Sequence, residues 1–360
     1  MNDRPDSSLI PQPSSLLCTV RQASAIYPVY VAAGLLDQVG TLVTPRGRVF
    51  VITSTTLRDR FAHRVARSFA TPADIIVVEE GESRKTLDTA NEIVTQLLDR
   101  GGKRDSMVVV VGGGMLGDTA GFAAAIFLRG IDLVHVPTTL LAQVDSSIGG
   151  KVAVNHTRGK NLVGAFHPPR AVVADTSVLA TLPHREMLSG LFEALKGGVI
   201  GDEELFARIE QRQLDFDDIV ARAIAVKAKI VSADEKENDL RRLLNYGHTI
   251  GHGIEAAMDY QGITHGEAVA WGMIAANAIA VRRGLLARDV AERIDAAVRS
   301  YEPAPLPSLD PKTILAATEH DKKNTGSSRV MVFPRRIGEC VVENVTEEDV
   351  RYGISALTSS

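Results

Sequence analysis

Cysteine is nearly missing from this chain: Cys18 and Cys340 are its two, they stand far apart, and neither belongs to a Cys-x-x-Cys pair. That excludes a disulfide framework and a thiolate metal site, and it fits a reducing cytoplasm. Long apolar runs are missing too. None approaches the roughly 18 residues that a membrane helix requires, so no membrane partner is expected. Neither sign of charge is in excess, with 40 Lys and Arg against 44 Asp and Glu and a formal net charge of -4, which leaves no basic field for nucleic acid. The first residues run through Ser, Pro and Gln without an apolar signal core, so 1–17 reads as a flexible tail with nothing to direct export. Repeats and low-complexity linkers are absent. What remains is an ordinary globular composition, 45% hydrophobic and 23% charged over 360 residues, enough for two domains with their own cores.

The first half alternates short β-branched runs with helical stretches. Strands are expected over 47–53 (GRVFVIT), 74–79 (DIIVVE), 106–111, 133–137 and 171–174, because these runs are too short for helices and rich in Val and Ile. A helix is expected over 87–99. This pattern predicts an α/β layer around a mostly parallel sheet, Rossmann-like, over 18–180. Beyond Thr181 the strand-like runs give way to amphipathic segments over 185–200, 202–213, 217–231, 267–283 and 289–300, so 181–360 is expected to be mainly helical. A late pair, 329–333 and 339–342 around Gly338, predicts a small hairpin. The change of character near Thr181 predicts a packed interface with a cleft.

Chemistry is concentrated in a few places. After 106–111 comes Gly112-Gly113-Gly114-Met115-Leu116-Gly117-Asp118, which opens a small-residue helix and has the G-x-G-x-x-G spacing in the right strand-to-helix context. Such glycines let backbone amides approach a pyrophosphate at a helix N-terminus, although similar turns also serve close packing alone. Upstream, Glu82 and Lys85 offer an acid and a base for a ribose hydroxyl and a phosphate, or simply a capped helix start. The densest stretch is PTTLLAQVDSSIGGK, from Pro137 to Lys151, followed by Asn155 and Gly159-Lys160-Asn161. Gly149 and Gly150 clear space around Lys151, and Asn161 adds an amide, a donor set suited to an anion such as phosphate. In SGLFEALKGG, Glu193 and Lys196 share a helical face among apolar neighbours, which points the pair into an interface. Finally, Arg241, Asn245, His248 and His252 are spaced to project from one face of a helix over 234–255, with Leu240, Leu243, Leu244, Ile250 and Ile254 behind them for a core. Two imidazoles one turn apart suit a divalent metal or an anion, and equally an ordinary surface or core pair.

The motifs GGGMLGD, PTTLLAQVDSSIGGK, GKNLVGAF, GLFEALK, the segment from Lys227 to Arg241, LNYGHTIGH, HGEAVAWGM and DKK at 321–323 occur in the order found in 3-dehydroquinate synthases, which this chain resembles over roughly 27–350. The resemblance implies a dehydroquinate synthase-like fold, with an N-terminal NAD-binding α/β domain, a helical C-terminal domain and the site between them. It implies NAD, one divalent metal, zinc or cobalt, and a homodimer. The reaction implied converts 3-deoxy-D-arabino-heptulosonate 7-phosphate to 3-dehydroquinate and phosphate through transient oxidation by NAD, phosphate elimination, re-reduction and aldol cyclisation, in the shikimate pathway to chorismate and the aromatic amino acids.

The resemblance also implies roles residue by residue. Glu193, His248 and His265 match metal ligands, which takes His252 out of the metal pair and gives it to the phosphate and proton-transfer region. Lys151, Asn161 and Lys322 match phosphate contacts, and Arg129 matches an arginine that reaches in from the neighbouring subunit. Lys227 and Arg241 match the cations that grip the substrate carboxylate, with Asn245, Lys196 and Asp145 around the ring hydroxyls. For NAD the matches are Glu82, Lys85, Gly114, Asp118, Thr138, Thr139, Lys151 and Lys160, with Thr181 and Leu182 near the nicotinamide end. Two positions depart from the family pattern: Ser54 where Asp or Asn is frequent beside the adenosine ribose, and Gly197 where an aromatic commonly follows Glu-x-x-Lys. The alternatives are a cyclase acting on sedoheptulose 7-phosphate, which has no carboxylate to bind, a metal- and NAD-dependent polyol dehydrogenase of similar fold, and a non-catalytic NAD-sensing module.

Overall fold

Val- and Ile-rich runs buried on both faces make the centre of one seven-stranded sheet. The computed structural model describes residues 16–237, 239–306, 312–316, 318 and 330–358. Strands β1 (Leu16–Arg21), β2 (Ile26–Ala32), β3 (Val49–Ser54), β4 (Asp74–Val78), β5 (Met107–Gly112), β6 (Asp132–Pro137) and, after a separate hairpin, β9 (Ala171–Asp175) pair in the order β1-β2-β9-β6-β5-β3-β4. All pairings are parallel except β1 with β2. Every residue of β3, β5 and β9 is buried, as a sheet covered on both faces requires. Side chains alternate across β3 and β5. Phe50, Ile52, Val108 and Val110 pack under the Leu87–Asp99 and Gly114–Ile126 helices, whereas Val49, Val51, Val109 and Val111 face a core continuous with the helical half.

Because β3 runs out to β4 while β5 returns on the other side of β3, the chain reverses direction of winding between β3 and β5. In open α/β sheets the crevice at the carboxyl ends of such a pair is where nucleotides bind. The Gly112–Gly114 turn leaves β5 at that edge, beside Ser54 at the end of β3.

The second half is helical: His184–Gly201, Glu203–Glu210, Phe216–Ala233, His248–Ala257, His265–Arg282, Arg288–Arg299 and Glu347–Thr358. The antiparallel hairpin β10 (Val330–Arg336) and β11 (Glu339–Asn344) turns at Gly338. Two further strands, β7 (Lys151–His156) and β8 (Gly159–Phe166), form a hairpin of their own that the motif-rich sequence concealed. In β7, Val152 and Val154 are buried and alternate with more exposed residues, so the Gly-Gly-Lys run is the entrance to a half-buried strand. Of the expected tail, 1–15 lie outside the described residues, and Leu16 opens β1.

One expectation fails. The stretch 234–255 is not a single helix: a 3-10 turn spans Leu240–Asn245, Gly247 takes φ 80, and the α-helix begins at His248. Glycine is required at 247 by its positive φ and because a Cβ there would lie 2.7 Å from the Val269 carbonyl oxygen, and at 272 because a Cβ there would lie 1.9 Å from the Gly247 carbonyl oxygen. The His265–Arg282 helix thus runs backbone to backbone against the break. Ile250 and Ile254 are buried as expected, but Leu240 is exposed and Leu243 and Leu244 only partly covered, because the turn rotates them off the α-helical face.

Candidate active site

Three elements converge on Glu193. It sits on the fully buried stretch of the His184–Gly201 helix. His248 is the first residue of one helix and His265 the first of the next. His265 is placed by a capping box, in which the Thr264 hydroxyl accepts from the Glu267 amide and the Glu267 carboxylate accepts from the Thr264 amide at 2.7 Å. The adjacent Gly266 amide donates to Ser189 Oγ at 3.0 Å, one turn before Glu193. The resulting distances are 3.9 Å from Glu193 Oε1 to His248 Nε2 and 3.6 Å to His265 Nε2.

The ring tautomers follow from the other nitrogen. His248 Nδ1 faces the Tyr246 carbonyl oxygen at 3.2 Å and must donate to it; His265 Nδ1 donates to Glu255 Oε2 at 3.1 Å. In the neutral rings the lone pair is therefore on Nε2, the nitrogen nearer Glu193 in each. Lys196 Nζ lies 2.5 Å from Glu193 Oε2 as an ion pair, yet among the described residues neither carboxylate oxygen is in hydrogen-bond geometry with a donor, and both are buried. A buried carboxylate oxygen without a donor, beside two imidazole lone pairs, is what a divalent cation would satisfy. Tetrahedral ligands at about 2.0–2.2 Å from zinc are separated by about 3.3–3.6 Å, close to the spacing seen. His252 also approaches: the ligand nitrogens of His248, His252 and His265 lie within 4.8 Å of one another. Its side chain is exposed, and the anionic, orphaned Glu193 is the better third donor.

Burial, followed by the charge of Lys196 and the other imidazoles, holds His248 well below the ordinary histidine range, so it is neutral and able to ligate. Burial pulls His265 the same way, but its hydrogen bond to Glu255 and the charges of Glu255 and Glu193 outweigh that, and its pKa is raised. Glu255, despite burial, is held at about 2 by His265, Lys160 and His252.

Beside this cluster lies a second. Asp145, on the tight helical turn Ala142–Ser146, accepts from Lys227 Nζ at 2.5 Å. Gln143 fixes the turn by donating to the carbonyls of Pro137 and Asp175 at the ends of β6 and β9. Burial would raise the Asp145 carboxyl, but Lys227, Lys196 and His265 hold it well below the carboxylate range, which places it electrostatically beside the imidazoles. Arg241 is buried and donates to the carbonyls of Gly149 and Glu235. Lys151 pairs with Glu237, whose other oxygen accepts from Asn245 Nδ2 at 2.9 Å.

At the nucleotide edge, the Gly114–Ile126 helix starts at Gly113 with no side-chain cap, leaving its first amides for an anionic ligand. Lys85 Nζ reaches Asp118 Oδ2 at 2.6 Å, and burial raises the Asp118 carboxyl against the pull of Lys85. Glu82 accepts from Asn155 of β7 at 2.9 Å. Thr138 and Thr139 follow β6, and Thr181 and Leu182 end the turn after β9, all at the carboxyl edge of the sheet. This fits a dinucleotide.

The remaining expected residues have these surroundings. Lys160 is paired with Glu255 at 3.2 Å, and Asn161 is exposed at φ 57 in the hairpin. Arg129 is exposed before β6, at the amino edge of the sheet, away from the imidazoles of its own chain. Lys322 lies outside the described residues. At Gly197 a Cβ would only touch Leu205 at 3.8 Å, an ordinary contact. Glu255 and Glu237 were missed by sequence reasoning. For Glu255 the signal was there, since it continues the His248, His252 face of one helix; for Glu237, at φ 61, there was none.

Comparison with known proteins identifies the family. Residues 75–189 match the 3-dehydroquinate synthase N-terminal family and residues 190–324 its C-terminal family. A 3-dehydroquinate synthase from Desulforamulus reducens is 41% identical over 341 residues, 90% of this chain and 95% of that protein. Among solved structures, a 2-deoxy-scyllo-inosose synthase complexed with carbaglucose-6-phosphate, NAD+ and Co2+ has a TM-score of 0.83 at 31% identity, covering 93% of this chain and 98% of that one. A 2-epi-5-epi-valiolone synthase from Streptomyces hygroscopicus, with NAD+ and Zn2+ bound, has a TM-score of 0.84 at 29% identity, covering 92% and 97%. The fold is thus dehydroquinate synthase-like, and the chain belongs to the 3-dehydroquinate synthase family.

Proposed function

We propose that this chain is an enzyme converting 3-deoxy-D-arabino-heptulosonate 7-phosphate to 3-dehydroquinate and phosphate, a carbon–oxygen lyase using NAD and one divalent metal, zinc or cobalt. The observation that carries the reading is the buried Glu193 oxygen, without a hydrogen-bond donor among the described residues, facing the Nε2 atoms of His248 and His265 beside a cationic cleft.

Glu193, His248 and His265 would hold the metal, which when bound polarises a substrate oxygen and makes its hydroxyl acidic near neutral pH. Glu82, Lys85, Gly114, Asp118, Thr138, Thr139, Lys151, Lys160, Thr181 and Leu182 would hold NAD, which supplies reversible hydride acceptance. The chain's own groups bind and orient. Lys227 and Arg241 attract the substrate carboxylate, which takes over guanidinium hydrogen bonds now made to the Gly149 and Glu235 carbonyls. Lys151, Asn161 and Lys322 receive the phosphate, and Glu237 gives up Lys151 and Asn245 as it arrives. Asn245, Lys196 and Asp145 orient ring hydroxyls, and His252 manages the proton near the leaving phosphate. Arg129 serves the site of a second subunit in a homodimer. We assign 18–180 to NAD and 181–360 to metal and substrate, and place the enzyme in the cytoplasm, in the shikimate pathway to chorismate and the aromatic amino acids.

The test is redox bookkeeping. With NAD well below the enzyme concentration, the heptulosonate should release phosphate over many turnovers with no net NADH. One NADH accumulated per phosphate would overturn the reading in favour of a dehydrogenase. Equal turnover of sedoheptulose 7-phosphate would move it to another cyclase.

A further inference from the structure

Glu255 is buried to 5% exposure, and the proposed reaction gives it no task. Both of its oxygens are engaged. Oε2 accepts from His265 Nδ1 at 3.1 Å, and Oε1 accepts from Lys160 Nζ at 3.2 Å. Lys160 comes from β8, on the other half of the molecule, and its ammonium is 4.0 Å from the centre of the Tyr260 ring. The carboxylate therefore belongs to one helix, meets the first residue of the next, and is pinned by a lysine from a hairpin that neither helix contains.

We infer that Glu255 is a positioning residue for the metal-ligating His265, with Lys160 holding the carboxylate in place. The inference rests on the assignment of Glu193, His248 and His265 as metal ligands. A carboxylate accepting from Nδ1 fixes the tautomer that leaves Nε2 unprotonated, sets the plane of the ring, and raises the basicity of the nitrogen facing Glu193. An ion pair serving packing alone would need only the Lys160 contact. Here the second oxygen is directed at the back of a ring whose front nitrogen lies 3.6 Å from a carboxylate oxygen that accepts no hydrogen bond among the described residues. The Lys160 contact also ties the β7–β8 hairpin, which carries Lys151 and Asn161, to the metal histidine.

The experiment measures metal binding by full-length protein without substrate: Co2+ affinity by chelator competition, with the visible Co2+ absorption bands as a report of coordination geometry. Glu255→Ala should weaken Co2+ binding about 10–100-fold. Glu255→Gln keeps the size of the side chain and an acceptor for Nδ1 but not the charge, so it should show a smaller loss with the bands retained. Lys160→Met should weaken binding less than Glu255→Ala and add nothing when combined with it. Thermal unfolding of the metal-free variants separates general destabilisation from these changes. Should Glu255→Ala and Glu255→Gln bind Co2+ as the parent does, while His265→Ala loses it, the positioning role is overturned and the ligand set stands. If His265→Ala binds as the parent does, the ligand set is wrong and the inference falls with it.

Discussion

Both terminal nitrogens of the Arg241 guanidinium donate to the Gly149 carbonyl oxygen at 3.3 Å. The Gly149 amide in turn donates to the Tyr27 hydroxyl at 2.9 Å, so the turn entering β7 is held at both polar groups of one residue. Gly149 has φ 103, and a Cβ there would lie 2.6 Å from Arg241 Nη2. Gly149→Ala should therefore destabilise the protein by about 1–3 kcal/mol through backbone strain and displace the guanidinium. The expected kinetic signature is a larger rise in KM for the heptulosonate than fall in kcat, measured with the melting temperature. An unchanged KM would show that Arg241 can move without consequence for the substrate.

Exhaustive chelation should abolish turnover, and zinc or cobalt should restore it. His252→Ala should leave metal content nearly intact while slowing phosphate release, because Glu193 and two other imidazoles already converge. Metal content by atomic absorption decides the matter: if it disappears with His252, the three-imidazole arrangement is the ligand set instead.

How much of this was legible depends on whether the signal was local. β3, β5 and β9 were readable because a doubly covered strand must be continuously apolar, and the Leu87–Asp99 helix because its apolar residues recur on one face. β1 and β2 were not, since β1 (LLCTVR) mixes polar and apolar residues and Pro28 interrupts the apolar run of β2 (IYPVYVA). The break at Gly247 was hidden because Arg241, Asn245, His248 and His252 keep helical spacing across it. The break itself is the left-handed Gly247, and it lies where the Gly247 carbonyl packs against Gly272, a contact between residues far apart in sequence. Glu193, His248 and His265, the proposed metal ligands, were recognisable as motifs, but their convergence on one oxygen depends on helix crossings that no local pattern records. Arg241 illustrates the same limit: its type suggested a carboxylate, and its present partners are backbone carbonyls.

A prediction about pH comes from outside the cleft. Asp295 is raised to about 6, chiefly by burial, although Asn277 donates to it at 2.7 Å and Arg299 pulls the other way. A carboxyl with a folded pKa above its unfolded value contributes stability that is fully present below about 4 and is lost as pH rises through about 6. Asp295→Asn keeps an acceptor for Asn277 and removes the half-buried charge. It should raise stability at pH 7.5 (an assay condition, about one and a half units above that pKa) by something of the order of 2 kcal/mol and change little near pH 4. Melting curves across this range that stay parallel in parent and variant would exclude the half-buried charge as the cause.

Substrate choice is the sharpest consequence of Arg241. Its guanidinium can hold a carboxylate through two parallel hydrogen bonds, whereas the Lys227 ammonium, already 2.5 Å from Asp145, adds charge without fixing direction. Losing a charge-assisted pair in a dry cleft costs about 2–5 kcal/mol, so Arg241→Ala should lower kcat/KM on the heptulosonate by roughly 30-fold to several thousand-fold. Arg241→Lys should recover part of this. Sedoheptulose 7-phosphate has no carboxylate, so whatever weak turnover it shows should fall much less, and the ratio between the two substrates should collapse. The clamp on Gly149 makes a competing expectation explicit. If Arg241 acts only by holding that turn, both substrates will lose equally, with folding and metal content unchanged. The two-substrate comparison thus separates a guanidinium that reads the carboxylate from one that shapes the cleft.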